Sequence, residues 1–460
     1  MLVWCLSGVV MLFVRYPALD PERRLAALPP VRWEACCRFD ALPGGAVAAA
    51  AVEQLGPDPV LQVQTGDGAQ ALVDLATGRR IERVGPAQAM LTARGFSPWQ
   101  AGRLLGVVDR DQWTVSGEFN AGRPLYRIAL DDADGTQLYV SSHTGRAVQL
   151  TTASGRFWNW LGAVPHWLYL TQLRQDPRLW TQVVVWTSLV GCFLTVAGLW
   201  LGWTALRMER GRPASPYRKL WLWHHLTGLV FGLLTLAWVF SGLVSMNPWG
   251  FLESAGDGAE ARLAGAPIAA DQLKGAVQAL ALKQIQARRV ELAPLDGRPF
   301  LMALNPGARP SRLAADASPA PLGKAELTAA AARISGPEGP ASAEMIERED
   351  AYDFSHHDRA PLPAFRVVRR DGVRDYLDPQ SGRLLLSVDA AARGYRWLHQ
   401  GLHRWDFVPG ARDGPAWAAA MLALLAGVTL SVGTGLYLGW RRQLKLLFRP
   451  KRKVAAPRGP

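Results

Sequence analysis

Three nearly uncharged apolar runs constrain this chain more than any other feature. Residues 181–203, 220–247 and 417–440 each exceed the roughly 20 residues that a helix needs to cross a bilayer, and they hold almost no charge. A fourth run, "MLVWCLSGVVMLFV", extends from Met1 to Val14 and stops before Arg15. It is short for a full crossing, and it lacks the basic leader and small-residue cleavage site of a signal peptide. Tryptophan, at 19 of 460 residues, is heavily used, and it collects where bilayer meets water. The expectation is an integral membrane protein.

The net charge of +13 points toward topology rather than nucleic acid. Residues 204–219 carry five basic residues against Glu209, and residues 441–460 carry eight with no acidic residue. These two segments hold +12 of the +13, and both border apolar runs. The positive-inside rule assigns them to the cytoplasm and the two long stretches to the other side. The resulting order is a partial first helix at 1–14, an outer segment at 15–180, a span at 181–203 and a basic loop at 204–219. A span at 220–247, an outer segment at 248–416, a span at 417–440 and a basic tail at 441–460 follow. Cysteine adds little: Cys5 and Cys192 lie in apolar runs, Cys36 and Cys37 are adjacent, and no haem-attachment, zinc or iron–sulfur spacing occurs.

The chain repeats itself. At an offset of 237 residues, "WLGAVPHWLYL" from Trp160 lies over "WLHQGLHRWDF" from Trp397, so that His166 falls on His403 and Trp180 on Trp417. "GLWLGW" from Gly198 likewise falls on "GLYLGW" from Gly435, and "YVSSHTGRA" from Tyr139 on "YLDPQSGRL" from Tyr376. The remaining apolar runs pair at an offset of 234, "WCLSGVVM" from Trp4 with "WVFSGLVSM" from Trp238. Two copies of one helix–outer domain–helix unit are expected, related by an axis along the membrane normal. Met1 then corresponds to Thr235, in the middle of its partner run. About twenty further residues ahead of Met1 are therefore expected, or a genuinely shortened first helix, with the counterpart of His224 about ten residues upstream. The outer stretches alternate apolar and polar residues around glycine turns, as in "QALVDLATGRRIERV" and "AFRVVRRDGVRDYLDPQSGRLLLSV", which predicts antiparallel strands. "PAQAMLTAR", "ADQLKGAVQALALKQIQ" and "KAELTAAAARI" have helical periodicity, and 304–323 reads as a loop.

Histidine is scarce, at eight residues. His224, Gly228 and Gly232 are spaced so that they stack along one helix face; the small residues either leave a slot for a flat macrocycle with the imidazole on its iron, or let two helices pack closely. His399 and His403, four apart in "WLHQGLHRW", point the same way and cannot clasp one haem from opposite sides. His166, the repeat mate of His403, is the candidate for the opposite ligand. His399 has Gly162 as its mate, and its role is open between a propionate contact, another haem and interfacial snorkelling. His356 and His357 in "AYDFSHHDRA" fit a surface role or a plain loop.

With these motifs in view, the chain resembles the PepSY-associated transmembrane protein family of bacterial inner membranes. The resemblance covers nearly the whole chain and rests on "WLWHHLTGLVFGLL" at 221–234, "YDFSHHDRAPLPAFRV" at 352–367, "YLDPQSGR" at 376–383, "RWLHQGLHRW" at 396–405 and "TGLYLGWRR" at 434–442. It implies a membrane α-helical bundle of four transmembrane helices, the first truncated at its N-terminus, with two periplasmic α+β PepSY-like domains and an internal duplication. It also implies one or two haem b groups and a ferric-siderophore reductase type of activity. Carried over, His224 and the group His166, His399 and His403 become axial-ligand candidates, with His225 in reserve. The missing front of the first helix removes the histidine that would face His224. No Gly-x-Gly-x-x-Gly fingerprint is present, so electrons would come from a separate donor. The expected partners are membrane lipid, a ferric chelate as substrate and that donor, with no nucleic acid. The rival reading is a non-enzymatic membrane protein whose outer domains bind a partner or peptide. A permease fits less well, because the spans lack the buried acidic and basic residues of proton-coupled transport.

Overall fold

The computed structural model describes residues 1–97, 102–209, 211–254, 256–354, 361–407, 412 and 414–448, so His356 and His357 lie outside the described residues. Among the described residues three helices are long and apolar enough to cross a membrane: Pro177–Thr204, Leu220–Ser245 and Gly414–Leu447. Their limits follow the hydropathy runs within a few residues at most ends, and a side-chain cap sets the start of the first. Asp176 accepts hydrogen bonds from the backbone N–H groups of Arg178 and Leu179, with Pro177 in the first turn.

The expected four-helix membrane bundle is corrected here. The run at Met1 forms a ten-residue helix, Leu2–Met11, which at 1.5 Å per residue rises only about 15 Å. Much of the rest of the chain is β-structure in four sheets, and the class is mixed α+β. Counting apolar runs ranks helices first, whereas strands built from short alternating stretches occupy more of the outer sequence than any run suggests.

The largest sheet has seven strands drawn from both outer stretches. Ala46–Leu55, Asp58–Thr65 and Gln70–Asp74 come from the first, and Ile268–Ala269, Arg289–Leu295, Arg298–Leu304 and Ser311–Leu313 from the second. The seam is antiparallel, with Ala51 opposite Glu291, Val52 opposite Val290 and Glu53 opposite Arg289. The helix Ala270–Leu282 covers one face with Leu273, Ala276, Val277 and Leu280 against Val52, Leu61, Val290 and Leu301. Ser311–Leu313 lies within the stretch expected as loop; it pairs with Arg298–Leu304, which places Leu313 in the same core.

Each outer stretch also contributes a four-stranded antiparallel meander, 103–151 and 340–388, with a helix packed on it, Pro86–Arg94 and Lys324–Ser335 respectively. The chain leaves each meander through short helices that carry the histidines, then enters a long apolar helix. Leu220–Ser245 packs against both other long helices, and Leu2–Met11 packs against Gly414–Leu447 and Ala163–Trp167. Outward-facing Trp186, Phe193, Trp200, Trp203, Val230 and Leu233 leave a broad apolar belt exposed, of a size that soluble monomers rarely present. The molecule is thus suited to a membrane by its three long helices and this belt.

Candidate functional site

The geometry of the histidines begins with two serines. Ser7, on Leu2–Met11, donates its hydroxyl hydrogen to the carbonyl of Val3 at 2.7 Å, with Trp4 O at 3.1 Å. Its oxygen is therefore left to accept, and His166 Nδ1 lies 3.1 Å away, with Trp4 O at 3.2 Å as a second acceptor. The same corner recurs in the other half. Ser241 donates to Trp238 O at 3.0 Å, and His403 Nδ1 lies 2.9 Å from Ser241 Oγ. Ser7 and Ser241 are both fully buried and correspond in the aligned runs "WCLSG" and "WVFSG". Acceptors at Nδ1 put the ring hydrogen there, which leaves the Nε2 lone pair of both histidines to act as a ligand.

The two rings meet across the repeat with centroids 6.0 Å apart and planes at 78°, an edge-type arrangement. That separation is about what two metal–imidazole bonds of about 2 Å each would span if both Nε2 atoms were turned toward one metal. Burial pushes the imidazolium of His166 down to about 4 and that of His403 down to about 3, the latter reinforced by His166 and His399. Both rings are neutral at physiological pH, the form that binds metal.

The turns that hold these rings are built alike. Ala163–Trp167 ends at Leu168 and Leu402–Arg404 ends at Trp405, both in the left-handed conformation at φ 52° and 54°. Trp180 donates its indole N–H to Trp167 O at 2.9 Å, and Trp417 donates to Arg404 O at 3.1 Å. His399 joins the group from one side. Its Nδ1 lies 3.0 Å from Ser241 O, and its ring centroid is 5.6 Å from that of His403 and 5.0 Å from that of Tyr395. Residues 396–401 form a π-helical turn rather than a regular helix, and His399 and His403 still point the same way, both against Ser241. Burial lowers the His399 imidazolium to about 4.

His224 stands apart. It lies 17 residues before Ser241 on Leu220–Ser245, about 25 Å away along the helix axis. Its Nδ1 faces Ser431 O at 3.1 Å and Thr434 Oγ1 at 3.3 Å on Gly414–Leu447, which again leaves Nε2 free to ligate. His225 differs: Nε2 faces Gly202 O at 2.7 Å and Nδ1 faces Ser215 Oγ at 2.7 Å. With both nitrogens engaged, His225 ties the 207–214 hairpin region to two helices and has no lone pair to offer. The two glycines also diverge, since a helix turns by 100° per residue and eight residues drift by 80°. Gly228 faces Ser431 on the same helix as the partners of His224, whereas a Cβ at Gly232 would strike Leu199 on Pro177–Thr204. Gly232 is a close-packing glycine.

Gly435 makes room for the His224 ring: a Cβ there would lie 2.7 Å from His224 Cε1, while its repeat mate Gly198 has nothing within 4 Å. Gly435→Ala is expected to displace the ring and lower the melting temperature by the equivalent of about 1–3 kcal/mol, with Gly198→Ala near neutral. Equal melting shifts for the two variants would count against this packing.

Above the histidines lies a polar layer that the sequence reading passed over. Arg396, one turn before His399, forms a buried ion pair with Asp406 at 2.7 Å and donates to Ala351 O at 2.9 Å. Tyr376 donates to Asp350 at 2.7 Å and Arg366 pairs with it at 2.8 Å; in the other half Tyr139 donates to Asp111 at 2.8 Å and Arg127 lies 3.5 Å from it. Asp353, 6% exposed, has one carboxylate oxygen without a partner among the described residues. Burial, with Asp350 and Glu349 nearby, raises its pKa from 3.8 to about 6. A carboxyl whose folded pKa lies above its unfolded value loses stability for the fold as pH rises between the two. Asp353→Asn is expected to flatten the melting temperature between about pH 4 and 6 and to stabilise at pH 7 by about 1–2 kcal/mol, allowing for screening. Parallel pH–melting curves for the two proteins would refute this.

Fold and site together define a mixed α+β protein with three helices able to cross a membrane and a symmetric pair of serine-anchored imidazoles. Comparison with protein-family models finds no match for the chain, and comparison with curated proteins finds none. Among the described residues no three His, Cys, Asp or Glu side chains converge to hold a metal ion, whereas two opposed imidazoles are the donor set of a bis-histidine haem. In donor chemistry, tautomer and spacing, the residues present fit that group.

Proposed function

We propose that the chain is a haem-b electron-transfer protein of a bacterial inner membrane, of the PepSY-associated transmembrane type, which reduces a ferric siderophore or similar ferric chelate on the periplasmic side. The observation that carries this reading is the twofold serine–histidine corner, with His166 and His403 opposed at 6.0 Å. His166 and His403 would hold the haem, which would supply one-electron transfer there.

The chain's own residues do the rest. Ser7 and Ser241 fix the tautomer and rotation of each ring, and hydrogen-bonded imidazoles are stronger ligands than free ones. Burial keeps both rings neutral, so no proton competes for Nε2. His224 offers a second ligand station about 25 Å further along its helix, which divides a crossing of about 30 Å into shorter electron steps. The basic segments 204–219 and 441–460 support a cytoplasmic setting for that station under the positive-inside rule, where a separate electron donor would reach it. Reduction releases iron because hard oxygen ligands hold Fe(II) less tightly than Fe(III).

Purified protein from haem-sufficient cells is expected to show a Soret band and a reduced α-band near about 560 nm. A colourless preparation would sink the proposal and leave the non-enzymatic binding module as the better account.

A further inference from the structure

A cavity of about 560 Å³ lies in the outer part of the molecule, beside the seven-stranded sheet. That volume is within the range of small-molecule sites. Four arginines line it, Arg24, Arg94, Arg146 and Arg288, against one carboxylate, Glu53. Glu53 is already engaged: Arg289 contacts it directly, and Arg146 lies 3.5 Å away. Among the described residues, the guanidinium groups of Arg24 and Arg94 make no ion pair or hydrogen bond, and Arg288 donates to the carbonyls of Ala26 and Leu28. Burial, then Arg146 and Arg289, lowers the pKa of Arg24 to about 10, a sign of crowded positive charge.

The walls are held in place. Thr92 donates to Gly145 O at 2.9 Å, which ties the helix end that precedes Arg94 to the turn that carries Arg146. Arg288 pins the end of Pro21–Ala27, the helix that carries Arg24. Leu55 and Phe96 supply apolar surface between the charges. Guanidinium groups match carboxylate oxygens in bidentate geometry. An excess of three positive charges in a concave, partly apolar site calls for a ligand that brings negative charge and a carbon skeleton.

We propose that this cavity binds a small organic polycarboxylate, independently of the histidine site. The test uses the full chain in detergent, with titration calorimetry against citrate, inorganic phosphate and a neutral sugar. Citrate is expected to bind, with affinity falling as sodium chloride rises from about 50 to about 300 mM. Arg24→Ala and Arg94→Ala are each expected to weaken it at least tenfold, and Arg94→Lys to weaken it less. Both residues lie outside the packed cores, and unchanged melting temperatures without citrate would confirm that the variants fold. Absence of citrate binding at millimolar concentration would overturn the proposal, as would affinity unchanged in both alanine variants. Phosphate binding as tightly as citrate would overturn the organic ligand class.

Discussion

His166→Ala and His403→Ala are each expected to purify with less than about one tenth of the haem absorbance of the parent protein that is due to this site, because either change leaves iron with one protein ligand. Ser7→Ala and Ser241→Ala keep both ligands and remove one hydrogen bond from Nδ1. They are expected to retain a six-coordinate spectrum while weakening haem retention by about tenfold to a hundredfold, the usual cost of losing an outer-shell partner. Equal effects of Ser7 and Ser241 replacement are part of the expectation, since their hydrogen bonds to the rings, 3.1 and 2.9 Å, are alike. His399→Ala and His225→Ala serve as controls and should leave the ligand field of the pair unchanged. Full haem retention in both histidine variants, measured by pyridine haemochrome assay, would remove the pair from the proposal.

The second large effect is expected at Arg396. Its guanidinium and the carboxylate of Asp406 are almost completely shielded from water, with side chains 5% and 0% exposed. Replacing one member of such a pair leaves an uncompensated charge inside the protein, a loss of about 3–5 kcal/mol. Arg396→Met should therefore lower the melting temperature steeply, and Arg396→Met with Asp406→Leu should recover part of it. The pair brackets residues 399 and 403, so the single variant is expected to loosen His399 and His403 together. If the double variant melts no higher than the single one, the buried charge is not the source of the loss.

The sequence made some of this legible and hid the rest for identifiable reasons. The three long helices follow from apolar runs without charge. The pairing of His166 with His403 follows from the repeat, since an offset that superposes tryptophans and glycines superposes the histidines too. Ser7 and Ser241 were within reach of the same alignment, but serine in an apolar helix most often bonds its own backbone and carries no distinct signal. The seam between Ala46–Leu55 and Arg289–Leu295 joins strands more than 230 residues apart, and alternation within a strand says nothing about which partner it meets. The π-helical turn at 396–401 has no composition that marks it. The bundle expected from the resemblance gave way because ten residues of helix at Leu2–Met11 and four sheets do not make one. Spacing put His224, Gly228 and Gly232 on one helix face and left His225 in reserve; only contacts separate a ring with a free nitrogen from one with none.

The indole bonds at Trp180 and Trp417 have a mechanical meaning. Each ties the first turns of a long apolar helix to the backbone beside a histidine turn thirteen residues earlier. Gly414–Leu447 has 34 residues, about 50 Å of helix, of which the apolar part at 417–440 is about 36 Å and the last turns carry Arg441, Arg442 and Lys445. A shift of that helix along its axis would be passed through the Trp417 indole to the segment that presents His403.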